Sequence, residues 1–127
     1  MQRSPLHTQN PFWNSAGPKF VDKDKVLDLA RKTARQIADR HPEVMRIFLF
    51  GSFARGDYGI RSDLDLLIVL QASDETALER IDRFLAHAPV YPTDMLVYTD
   101  DELGARISSG DAFLIRALAE SIQIWPE

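Results

Sequence analysis

Residues 51 to 65 read Gly51-Ser52-Phe53-Ala54-Arg55-Gly56-Asp57-Tyr58-Gly59-Ile60-Arg61-Ser62-Asp63-Leu64-Asp65. The Gly-Ser pair closes an apolar run, Val44 to Phe50, and after ten further residues an Asp-x-Asp opens the next, Asp63 to Leu70. Both runs are apolar at successive positions, which predicts central strands covered on both sides. Gly51 has no side chain, so an anion can approach its backbone. Ser52 adds a hydroxyl, and N–H groups at the start of a short helical turn through Arg55, where negative charge is favoured. Arg55 is placed to reach the same phosphates, with Arg61 a weaker candidate. Alone, Gly-Ser is a turn; the Asp-x-Asp downstream makes it a candidate phosphate notch beside carboxylates.

Alternate side chains of a strand share a face, so Asp63 and Asp65 point together and Leu64 points away. Two carboxylates on one face of an apolar strand repel, and unpaired charge is costly to bury. A divalent cation relieves that repulsion. Magnesium takes hard oxygen ligands, typically one or two carboxylates with substrate phosphate. Asp94 is the candidate third acid, because it opens another apolar run, Asp94 to Tyr98, after Pro89 and Pro92. Two metals about 3.5–4 Å apart can stabilise both oxygens of an in-line displacement, with Asp94 accepting the proton of the attacking hydroxyl. Gly56 and Gly59 read as turn residues, Asp57 as a solvated loop acid, and Ser62 as a support that caps or hydrogen-bonds Asp63.

Outward from this stretch, Val26, Leu29, Ala30, Thr33, Ala34 and Ile37 recur at helical spacing. Asp22 or Asp24 caps that helix, and His41-Pro42 stops it. Thr76 to Ala88 predicts a second helix, with Ala77, Leu78, Ile81, Phe84, Leu85 and Ala88 on its core face and Ser73 or Asp74 as cap. A short helix is expected over Asp100 to Ser109 and another over Asp111 to Glu120, the latter burying Phe113, Leu114, Ala117 and Leu118. Ser121 to Trp125 alternates as an edge strand ended by Pro126. The order predicts an α/β or α+β fold, with helices flanking a small mixed β-sheet. Residues 1–20 read as a tail, flexible or partner-docking, because Pro5, Pro11 and Pro18 interrupt regular structure; Phe12 and Trp13 are its docking candidates. Residues 21–127 form the domain.

The 127 residues suffice for one core. The absence of cysteine excludes disulfides and thiolate metal sites, and the three histidines (His7, His41, His87) are too scattered in sequence for a histidine-rich zinc site. Residues 1–62 carry 11 basic and 6 acidic side chains, and residues 63–127 carry 4 and 13. A net charge of −4 argues against an extended nucleic-acid footprint, while the basic half suits a compact polyanion or an acidic partner. No apolar stretch is long enough to span a bilayer and Met1 to Phe20 lacks a secretory core, so a cytoplasmic location is expected.

The Gly51-Ser52 pair, Arg55-Gly56-Asp57 and Arg61-Ser62-Asp63-Leu64-Asp65-Leu66-Leu67-Ile68-Val69, at this spacing, resemble the minimal nucleotidyltransferase family of the DNA polymerase beta superfamily, over roughly residues 44–98. The resemblance implies the polymerase beta-like palm fold. It implies phosphate binding at Gly51 and Ser52, metal binding at Asp63 and Asp65, and Asp94 as third acid. It further implies a nucleoside triphosphate donor, most often ATP, two magnesium ions and pyrophosphate as leaving group. Larger members carry an acceptor-binding second domain, which this sequence does not show. An isolated domain of this kind is similar to the antitoxin of two-gene systems that pairs with a HEPN-type ribonuclease toxin and transfers AMP to a toxin tyrosine. Two other expectations compete with that one. Nucleotidyl transfer to a small molecule would need a pocket completed by oligomerisation. A non-catalytic antitoxin would neutralise its partner by binding alone.

Overall fold

The computed structural model describes residues 22–59 and 61–127; the expected tail, with Phe12 and Trp13, lies outside them. The elements run α1 (Lys23–Arg40), β1 (Val44–Phe50), α2 (Ser52–Arg55), β2 (Leu64–Leu70), α3 (Ala77–Leu85), β3 (Thr93–Thr99), α4 (Asp100–Ser108), α5 (Ala112–Glu120) and β4 (Ile122–Trp125). Asp22 caps α1 by accepting from the Lys25 N–H, and His41 ends it.

The strands form one mixed sheet in the order β3-β2-β1-β4. β1 is antiparallel to both β2 and β4, whereas β2 and β3 run parallel with α3 between them in sequence. The end of β1 and the starts of β2 and β3 therefore meet at one edge of the sheet.

Both faces are covered, as unbroken apolar strands require. Leu64, Leu66, Ile68 and Leu70 of β2 pack with Val26, Ala30, Ala34 and Ile37 of α1 and with Phe84 of α3. On the other face Leu67 and Val69 pack with Phe50, with Leu103 of α4, and with Leu114 and Ala117 of α5. Asp65 and Asp94 fall on this second face, at its edge.

Several expectations are corrected. β2 begins at Leu64, so Asp63 stands one residue ahead of it. Thr76 caps α3, through a reciprocal box with Glu79, in place of Ser73 or Asp74. Ser73 instead accepts from the Glu75 N–H and from Arg80. The helix ends at Leu85, short of Ala88. Leu78 is 68% exposed, and Arg80 takes a buried place, where Glu102 of α4 meets its guanidinium at 2.5 and 3.1 Å. Phe113, expected in the core, is 61% exposed. His41 and His87 touch, Nε2 to Nε2 at 2.8 Å, with Arg83 2.8 Å from the other ring nitrogen of His41.

Candidate active site

The loop after β1 is built around Gly51. Its φ is 77°, a conformation that L side chains rarely adopt. A Cβ there would lie 3.0 Å from Asp65 Cγ and would collide with Oδ2. Glycine is thus demanded twice, by backbone geometry and by the carboxylate pressed against it. Ser52 begins α2, and Arg55 and Ala54 donate their N–H groups to the Gly51 carbonyl. Phe53 is fully buried; it stacks on Tyr58 and meets the edge of Tyr91, which anchors the turn on the core.

Asp65 pairs across the sheet with Phe50 on one side and Asp94 on the other. Parallel register sets Asp65 and Asp94 side by side on one face. Burial, then the carboxylates of Asp94 and Asp63, push the Asp65 carboxyl up to about 6, against the pull of Arg55. Three negative groups and one cation are therefore gathered where the strands begin.

Gly51, Ser52, Arg55, Asp65 and Asp94 line one cleft of about 620 Å3. Asp63 does not line it. It is exposed, just ahead of β2, close enough to raise the Asp65 carboxyl. Among the described residues no three His, Asp or Glu side chains are arranged to hold a metal together. Of the three expected acids, Asp65 and Asp94 line the cleft, and Asp63 stands just ahead of β2, within electrostatic reach of Asp65.

Arg55 is tied to Asp57 at 3.2 Å and to Glu120 at 3.8 Å, so Asp57 is a partner of Arg55 and not merely a solvated acid. Arg61 is exposed outside the cleft. The Ser62 hydroxyl accepts from the Gly59 N–H at 2.8 Å and so caps the turn before Asp63. Its carbonyl accepts from the buried Tyr91 hydroxyl at 3.0 Å, which holds the chain just before Asp63.

Sequence reasoning missed the far wall of the cleft. Phe113, Arg116 and Glu120 of α5 line it, as do Ile81 and Leu85 of α3. The only signal in the sequence was their spacing: 113, 116 and 120 share one helix face.

The donor set fits a divalent cation. The Asp65–Asp94 pair, beside a backbone with no Cβ, supplies the one or two protein oxygens that magnesium takes alongside phosphates, and the Asp65 carboxyl is raised to about 6.

A mixed sheet with a glycine turn facing paired acids across one edge defines a nucleotidyl-transfer scaffold. The nucleotidyltransferase domain family profile matches residues 30–122, and the chain belongs to that family. A candidate nucleotidyltransferase from Sulfolobus solfataricus shares the fold at a TM-score of 0.62 and 22% identity, over 81% of this chain and 82% of that one. A toxin–antitoxin structure with AMP-PNP aligns at TM-score 0.46 and 18% identity, over 84% of this chain and 75% of that one. A Shewanella oneidensis complex of a tri-AMPylated HEPN toxin with an MNT antitoxin aligns at 0.40 and 17%, over 83% and 70%. Both likenesses are distant. A search of curated proteins finds no match. Among the described residues no helix is long and apolar enough to cross a membrane.

Proposed function

We propose that the chain is a metal-dependent adenylyltransferase, and that it acts as an antitoxin on a HEPN-type ribonuclease toxin. The observation that carries the chemistry is the Asp65–Asp94 pair set against Gly51 in one cleft. The motif's resemblance to the antitoxin family carries the choice of acceptor. In this reading Gly51 and Ser52 seat the triphosphate of ATP, and Arg55 adds charge from α2. Asp65 and Asp94 hold magnesium, and Asp63, exposed ahead of β2, turns in to complete the ligand set. When bound, the cation neutralises the triphosphate and eases the departure of pyrophosphate. The acceptor tyrosine oxygen attacks the α-phosphorus, the bond to the bridging oxygen breaks, and pyrophosphate leaves with that electron pair. Asp94, at the open mouth of β3, accepts the hydroxyl proton.

The test combines the purified chain, magnesium, ATP labelled on the α-phosphate, and a HEPN-type protein encoded beside it. Label should appear on a toxin tyrosine, and Asp63→Asn or Asp65→Asn should abolish it while the fold survives. Label on a small molecule in a metabolite extract would redirect the acceptor. Full toxin neutralisation by a variant lacking all three acids would make the chain a binding antitoxin only.

A further inference from the structure

Phe113 is the anomaly of the cleft. It is a large aromatic side chain, 61% exposed, on a helix whose neighbouring positions Leu114 and Ala117 are buried. An exposed ring gains nothing from the core, yet this one is held: the Phe50 ring meets it edge-to-face at 6.1 Å and 85°. Phe50 is 7% exposed and is the last residue of β1, directly before the Gly51 notch. The ring is therefore an apolar plane that rests against the residue preceding Gly51. Ile81 and Leu85 supply further apolar wall from α3.

Charge on α5 is arranged to suit. Arg116 lies one turn beyond Phe113, exposed and lining the cleft, and among the described residues no acid pairs with it. Glu120, a further turn along, is joined to Arg55 at 3.8 Å. From Phe113 to Glu120 the helix advances about 10 Å. An apolar ring and an unpaired cation thus share one wall with the Arg55 side of the notch, offering a base contact and a phosphate contact in one cleft.

We propose that Phe113 is the platform on which the nucleobase of the donor nucleotide stacks, with Arg116 steering the triphosphate toward Gly51; this rests on the nucleotide-transfer reading above. Base–aromatic stacking is sequence-tolerant because every base offers a π-face, so the platform sets affinity more than choice of base.

Calorimetric binding of ATP and of inorganic tripolyphosphate, each with magnesium, separates the two claims. Phe113→Ala should weaken ATP roughly 5- to 100-fold and leave tripolyphosphate unchanged, and Phe113→Trp should restore ATP. Unchanged ATP binding in Phe113→Ala overturns the platform while leaving nucleotide transfer intact. A parallel loss of tripolyphosphate overturns it too, since the ring would then support the phosphate seat. Loss of acceptor labelling with unchanged ATP affinity assigns the ring to the acceptor and overturns it. If the wild-type protein binds neither ligand, the nucleotide reading falls and the platform with it.

Discussion

Asp65 and Asp94 are register partners on parallel strands β2 and β3, with both carboxylates on the same face of the sheet. Fold stability alone gives no reason to put two acids there. Burial, and then the carboxylates of Asp94 and Asp63, raise the Asp65 carboxyl to about 6, so its charged form is held under strain that a bound cation would relieve.

That strain has a sign. The unfolded chain releases the Asp65 proton near 3.8 and the native state near 6, so the native state binds more protons between those values. Without metal, stability should fall as pH rises from about 4 to about 6 and stay lower above. Asp65→Asn should flatten this slope and be more stable than wild type at pH 7.5, by an amount on the order of 1 kcal/mol after allowing for solvent screening of a half-exposed group. Urea unfolding with EDTA across the pH range measures it. A variant less stable than wild type at pH 7.5 would count against the strain.

Gly51 and Gly56 offer a matched comparison. Both have positive φ, but a Cβ at Gly56 meets nothing within 4 Å, whereas at Gly51 it strikes Asp65. Gly56→Ala should cost about 1 kcal/mol from backbone strain alone. Gly51→Ala should cost more, about 2–4 kcal/mol, and abolish nucleotide binding. Equal costs in urea titrations, with binding retained in both, would remove the close approach from the account.

Arg80 and Glu102 brace α3 against α4. Hydrogen bonds from Arg80 and then from the Thr99 backbone hold the Glu102 carboxyl down to about 2. A depressed carboxylate contributes its stability above the ordinary value of 4.5 and loses it as pH falls toward 2. Glu102→Gln leaves the nearly buried Arg80 without its counter-charge. It should cost about 2 kcal/mol at pH 7, less than a fully buried pair because the Glu102 side chain is 45% exposed. The gap between variant and wild type should narrow by pH 3; a gap unchanged at pH 3 would mean that charge is not its origin.

What the sequence made legible was local. β1, the Gly-Ser turn and β2 are consecutive, so their periodicity and spacing sufficed to place Gly51, Ser52, Arg55 and Asp65 at one sheet edge. Asp94 could be read because prolines fence its strand from the helix before it. What stayed hidden depends on contacts between distant residues. Arg80 looks like a solvated helix charge until Glu102, 22 residues on, buries it. His41 and His87, 46 residues apart, look scattered until two chain turns meet. Phe113 fits a helical core pattern, and only the packing angle of α5 turns it into the cleft. The strand boundary was misplaced by one residue: Asp63 stands just ahead of β2, still within electrostatic reach of Asp65.

The claim on which the rest depends is that the Asp65–Asp94 pair holds a divalent cation together with a nucleoside triphosphate. Manganese paramagnetic resonance, with a non-hydrolysable ATP analogue present, measures this directly through the loss of free-ion signal. Near-stoichiometric loss is expected in the wild-type protein, and little in Asp65→Asn or Asp94→Asn variants that remain folded. No loss in the wild type, or undiminished loss in both variants, would contradict it.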